Sequence, residues 1–306
     1  MHPRLRRLVA VTVLAVSAVV ASGPVGARTA VGPATVAAEG DLLPFGPTTA
    51  PVAGIEVHVV EDPTLATTTD ADGHWRIEGL AVGSTATFAI DDPSRPPIQT
   101  ATFTVPTGGL EQVAFQAPDH QMVAALEGVV GVARRADRCT IATTVTRRGY
   151  SLYGGAADGT HGEPGATVQI SPAPATSDGP IYFNGSRFDV IWPDRALRET
   201  TVDGGVLFVN VAPGTYTLTA TKPGATIEPV TVTCRAGWLA NAAPPWGLQV
   251  TAGGLDLDET RPFPDAVPAP TPTTSTPAAD PTPALADDAA SAPPASPVAG
   301  AASYTG

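Results

Sequence analysis

Lysine is almost missing from this chain of 306 residues: Lys222 stands alone, and arginine supplies the rest of the 17 basic side chains against 29 acidic ones. A formal charge of −12 leaves no basic face with which to neutralise phosphates, which argues against a nucleic-acid partner. Histidine is nearly as scarce. Beyond residue 27 there are His58, His74, His120 and His161, and none falls in the His-Glu-x-x-His pattern that places two zinc ligands on one helical face. No Gly-x-Ser-x-Gly turn exists to present a serine nucleophile. Cysteine is limited to Cys139 and Cys234, and a pair that oxidises leaves no thiolate for catalysis. The expectation is a chain without catalytic residues, cofactor or metal.

The abundant residues are turn formers. With 31 Gly and 33 Pro the chain is poorly suited to long helices and well suited to short strands joined by turns. Ala, Gly, Pro and Val in excess, with Arg in place of Lys, fit a GC-rich bacterial genome. Residues 1–27 have the three parts of a secretory signal: Arg4, Arg6 and Arg7, then an apolar run from Leu8 to Val20, then small residues ending at Val25-Gly26-Ala27. The run is shorter than the ~20 residues that span a bilayer, and no second run reaches that length. Cleavage before Arg28 removes three arginines and takes the formal charge from −12 to −15. The expected location is therefore secreted, extracellular or cell envelope. In that oxidising setting Cys139 and Cys234 are expected to form a disulfide.

Self-comparison organises the rest. Thr69-Asp70-Ala71-Asp72-Gly73-His74-Trp75-Arg76-Ile77 through Gly83 aligns without a gap with Thr200-Thr201-Val202-Asp203-Gly204-Gly205-Val206-Leu207-Phe208 through Gly214. Trp75 and Ile77 in one copy, and Val206 and Phe208 in the other, alternate with positions expected to be more exposed, as in a half-buried strand. Similar strands precede each copy at 54–59 and 165–170 and follow at 86–90, 101–105, 216–220 and 230–234. The glycine of each Asp-Gly supplies positive φ, and the aspartate caps the turn. Asp70-x-Asp72 also resembles the start of a calcium loop, but the spaced ligands and distal glutamate of such a loop do not follow.

Pro164-Gly165-Ala166-Thr167-Val168, Asp203-Gly204 and Pro213-Gly214-Thr215-Tyr216 together resemble the carboxypeptidase regulatory-like domain, a transthyretin-like (prealbumin-like) or starch-binding-like β-sandwich. The first copy departs from the pattern, with Val82-Gly83-Ser84-Thr85 in place of Pro-Gly-x-Tyr. The resemblance implies an all-β protein of two such modules in tandem, and an accessory role that supports or displays something else. Together with the composition of the remaining segments, the expected organisation is a signal at 1–27, a flexible segment at 28–46, a divergent first module at 47–118, a connector at 119–138, a second module at 139–252 and a disordered Pro/Ala/Thr-rich tail at 253–306. In the connector Met122, Val123, Leu126, Val129 and Val130 are spaced as on one helical face, although Gly128 and Gly131 leave an extra strand open.

Three places carry candidate chemistry. The insertion at 171–199 mixes Tyr182, Phe183, Phe188 and Trp192 with carboxylates and an amide, which suits either a surface that grips a polysaccharide or protein partner, or a small core that closes the end of the sandwich. His58 and His74 are a faint metal pair if their strands are neighbours. The intradiol dioxygenases share part of the sandwich signature, yet Tyr150, Tyr153, Tyr182, Tyr216 and Tyr304 show no tyrosine/histidine grouping of the kind that family uses. Pilin-type relatives of the fold crosslink a lysine to an asparagine, but Lys222 sits at a Lys-Pro-Gly turn and no such bond is expected. The functional expectation is a secreted non-catalytic structural or interaction protein, the alternative a carbohydrate-binding module. The closing strands that carry Cys139 and Cys234 are expected to lie side by side.

Overall fold

The computed structural model describes residues 34–45, 50–150, 161–185, 191–243 and 247–255. The signal expected at 1–27, Phe188 and all but the first three residues of the tail expected at 253–306 lie outside these residues. The first half contains β1 (Thr35–Phe45), β2 (Glu56–Val59), β3 (Asp62–Thr68), β4 (His74–Ala81), β5 (Thr85–Ala86), β6 (Phe88–Ile90), β7 (Ile98–Thr100), β8 (Phe103–Thr104) and β9 (Phe115–Pro118). Helix α1 (His120–Val130) follows. The second half contains β10 (Cys139–Thr146), β11 (Thr167–Ser171), β12 (Asp178–Phe183), β13 (Pro193–Asp194), β14 (Gly205–Val211) and β15 (Gly214–Thr221). It ends with β16 (Ala225–Ile227), β17 (Val230–Cys234), β18 (Leu239–Asn241) and β19 (Leu248–Gly253). The described chain is thus mostly β-sheet, and no helix in it is long and apolar enough to cross a membrane.

One pairing scheme occurs twice. In the first half β1 pairs antiparallel with β4 and parallel with β9, while β2 pairs with β6 and β6 with β7. In the second half β10 pairs antiparallel with β14 and parallel with β18 and β19, while β11 pairs with β15 and β15 with β17. The repeated turns stand at matching places, with Gly73 at φ +84° and Gly204 at φ +75°. They are capped differently. Asp70 Oδ1 accepts the N–H groups of Asp72 and His74, whereas Asp203 Oδ2 accepts that of Gly205. Neither turn joins two strands that pair with each other: β4 and β14 bond to strands from earlier in the chain.

Strand β1 corrects the expected flexible segment at 28–46. Ala38 and Leu42 are fully buried, and β4 and β9 flank the strand. Its alternation is blurred by Gly40, where a Cβ would lie 2.1 Å from Val113 O, so the side chain had to be given up for close backbone approach. Strand β3 was also unexpected. It carries Pro63 and lies at the edge of its sheet, where a residue without N–H costs no ladder bond.

The first core lies between β4-β1-β9 and the β2-β6-β7 strands, with Trp75, Ile77, Phe88 and Phe115 at its centre. Trp75 packs against Phe88 with ring centroids 5.0 Å apart and meets Phe115 edge-on at 6.3 Å. The second core lies between β14-β10 and β11-β15-β17 and holds Ile141, Phe208, Tyr216, Leu218 and Val232. The halves are not two separate sheets end to end. Strand β18 pairs parallel with β7 (Leu239↔Ile98, Ala240↔Gln99, Asn241↔Thr100), so one 11-stranded sheet runs through both. Across this seam Gln99 Nε2 donates to Thr233 O at 2.6 Å and Arg235 donates to Gln99 Oε1 at 2.8 Å.

Cys139 and Cys234 form a disulfide with Cα atoms 5.8 Å apart, within the ~4.4–6.8 Å the bond requires. Their strands are not side by side. Cys139 is in the 11-stranded sheet and Cys234 in β11-β15-β17, so the bond crosses the second core and ties its two walls together.

Candidate functional site

A third apolar cluster explains most of what the alternation pattern missed. Strand β14 has Val206 and Phe208 in the second core, but Leu207 and Val209, expected to be exposed, are 6% and 3% exposed. They lie with Ile181, Phe183 and Val130 on the opposite face of the sheet. Helix α1 supplies this cover. It starts where Asp119 Oδ1 accepts the Met122 N–H at 2.7 Å and stops at Gly131, whose φ of +70° makes it a left-handed C-cap. Met122, Val123 and Val130 are buried and Leu126 is partly so, but Val129 points outward and is 49% exposed. A sheet covered on both faces has no polar alternation to read.

Between this helix and the sheet lies a cavity of about 120 Å³. Phe45 closes it from β1 and Met122 and Leu126 from the helix. Ala142, Phe183, Leu207 and Trp192 form the opposing apolar wall. His161 and Asp203 also line it, as do Asn241, Gln116, Thr143 and Thr144. Two glycines bring the first two together. Gly162 N–H donates to Val202 O at 2.9 Å, and a Cβ on Gly162 would lie 2.2 Å from the Asp203 carbonyl carbon. A Cβ on Gly204 would lie 2.4 Å from Val145 O. Only a bare backbone crosses there, and that crossing sets the imidazole of His161 within electrostatic reach of the Asp203 carboxyl.

Burial raises the Asp203 carboxyl above its ordinary value, against the lowering influences of His161 and of the Gly205 N–H. Asp203 retains accessible surface where it lines the cavity. His161 and Asn241 are 6% and 3% exposed. Asn241 Oδ1 accepts the Ala243 N–H at 3.2 Å, while no described residue hydrogen-bonds the His161 ring. Neither His161, Asp203 nor Asn241 was a candidate site residue in the sequence. The only signal was His161-Gly162 ahead of a repeated strand, with Asp203-Gly204 ahead of another.

The sequence-predicted aromatics separate. Tyr182 is 2% exposed, belongs to the second core, and its oxygen accepts the Val168 N–H at 3.0 Å; burial raises its phenol above the usual value. Phe183, 9% exposed, is in the third cluster. Successive residues of a strand point to opposite faces, so these two cannot share one surface, and both are core rather than a platform. Trp192 is half-buried in the cavity wall, its backbone N–H accepted by Asn184 Oδ1 at 2.7 Å. Phe188 lies outside the described residues.

The metal pair is not assembled either. His58 is on β2 of the long sheet, while His74 is on β4 and bonds Asp41 at 2.9 Å. Among the described residues no group of three or more potential ligands is close enough to hold a metal ion. Lys222 reaches Glu163, whose side chain is fully buried and also accepts the Leu255 N–H at 3.1 Å; the partner is a carboxylate, not an asparagine.

No family model matches the chain, and no curated protein matches it. Among solved structures the chain is similar to the Bacillus anthracis TIE protein, with 15% identity over 69% of this chain and 34% of that one at a TM-score of 0.20. It is also similar to a Streptococcal ancillary pilin, with 9% identity over 71% of this chain and 69% of that one at a TM-score of 0.21. The third is invasin, a bacterial integrin-binding protein, with 14% identity over 65% and 39% at a TM-score of 0.14. The chain thus spans about a third of the length of the first, and scores of this size assign no fold, which rests on the strand pairing.

Proposed function

We propose that this chain is an exported, non-catalytic interaction protein of the cell exterior, built from two transthyretin-like sandwich modules that have fused along one sheet. The observation that carries the reading is the pairing scheme that occurs twice, in step with the repeated Asp-Gly turns. The export signal and the disulfide between Cys139 and Cys234 support the location. A protein of this kind presents loops and faces from a rigid frame, and its partner is a protein or polysaccharide of the same compartment.

Two measurements test it. Expression in a bacterial host with an intact secretion apparatus should release a mature protein whose first residue is Arg28; retention in the cytoplasm with an intact N-terminus would contradict the location. The purified protein should turn over no ester, peptide, glycoside or catechol, and turnover abolished by one substitution would refute the non-catalytic part. The carbohydrate alternative has lost Tyr182 and Phe183 as surface groups. It survives only if glycan binding is found and is lost in Trp192→Ala.

A further inference from the structure

The cavity under α1 has the size and lining of a small-molecule site, and we propose that it binds a phenol: one six-membered aromatic ring carrying a hydroxyl. This stands whether or not the protein is exported.

Size selects the ring. A cavity of about 150 Å³ holds benzene, so a space of about 120 Å³ accommodates one such ring. The walls select aromatic over aliphatic. Phe45, Phe183 and Trp192 all face the space, and aromatic rings gain from offset and edge contacts with one another beyond the area they bury.

The polar corner selects the hydroxyl. His161 is nine-tenths buried, lines the cavity, and has no ring hydrogen bond from any described residue. A ligand hydroxyl within reach of this imidazole can hydrogen-bond it in place of solvent. Asp203 beside it uses Oδ2 for the Gly205 N–H, and no described residue bonds its other oxygen. A hydroxyl both donates and accepts, so it can satisfy an imidazole and a carboxyl together. Benzene fills the same space and leaves both groups as they were.

The experiment uses the full mature chain in solution, with nitrogen-15 resonances of the His161 ring as the readout. Phenol is titrated against benzene, with N-acetyltyrosinamide as a third arm. Phenol should give a saturable shift of the His161 ring signals and bind roughly fivefold more tightly than benzene, the ratio expected of about one net hydrogen bond. His161→Leu should bring phenol down to the benzene level. Ala142→Phe should fill the cavity and abolish both; because it could disturb β10, Leu126→Trp on the helix serves as a second filling variant, each checked by its melting curve. If N-acetyltyrosinamide matches phenol, the occupant is a tyrosine side chain of a peptide; if it fails where phenol binds, the occupant is a free phenol. Absence of a saturable His161 response to phenol, equal affinity for benzene, or phenol binding that persists in both filled variants while they remain folded would overturn the proposal.

Discussion

Removing the disulfide probes how the two halves are joined. Cys139 and Cys234 are 95 residues apart, and closing a loop of that length restricts the unfolded chain by about 4.7 kcal/mol in the entropy treatment. That figure is an upper bound, since compact unfolded chains lose less. For a protein of this size each kcal/mol moves the melting temperature by about 2–4 °C, so Cys139→Ala/Cys234→Ala should melt roughly 10–19 °C lower. The informative quantity is the number of transitions. Independent modules would give two, and only the one containing both cysteines would move. The structure predicts otherwise, because β18 belongs to the second half yet bonds β7 of the first, and Leu239 on that strand is packed in the first core. Helix α1 and Phe45 likewise cover the outer face of the second-half strands. Scanning calorimetry of the oxidised and the double-alanine protein should therefore show one transition in each, displaced as a whole. A trace that splits in two, with the upper or lower component fixed between the two proteins, would refute the shared-sheet reasoning. Residues 139–252 alone should be poorly soluble, since they would expose Ile181, Phe183, Leu207 and Val209 without their cover.

Three further outcomes follow from single contacts. Leu207→Ala should cost about 2–5 kcal/mol in urea unfolding, as for a core leucine, whereas an exposed position would change by less than ~0.5 kcal/mol. Lys222→Met leaves the buried Glu163 carboxylate unpaired and should destabilise by about 3–5 kcal/mol, and Lys222→Met/Glu163→Leu should recover most of the loss; equal instability of single and double variants would show that the pair is unimportant. Asp203 has its carboxyl raised in the folded state, so the wild type should lose stability as pH rises from the ordinary aspartate value of 3.8 through the raised one and then level off. Asp203→Asn, which keeps an acceptor for Gly205 N–H, should be the more stable protein at neutral pH and equal to wild type in acid; the reverse order in urea titrations would reject the burial argument.

The sequence by itself determined what depends on neighbours along the chain. The Asp-Gly turns with positive φ at Gly73 and Gly204 and the alternating burial of Trp75 and Ile77 follow from local backbone and side-chain chemistry, whereas the choice of helix over strand at 120–130 was left open by Gly128 and Gly131. The two cysteines could be paired from compartment and count. What the tertiary structure alone decided is the second face of each strand. Leu207 and Phe183 are buried because α1 happens to lie over them, Tyr182 because its side of β12 faces the second core, and β1 is a strand because β4 and β9 meet its two edges. The same holds for the disulfide, which spans two sheets, and for the cavity, whose polar corner exists only where the bare backbones of Gly162 and Gly204 cross. A period of two reports which residues share a face; whether that face meets water, a helix or another sheet is set by segments far away in sequence, whose arrival leaves no trace in the pattern itself.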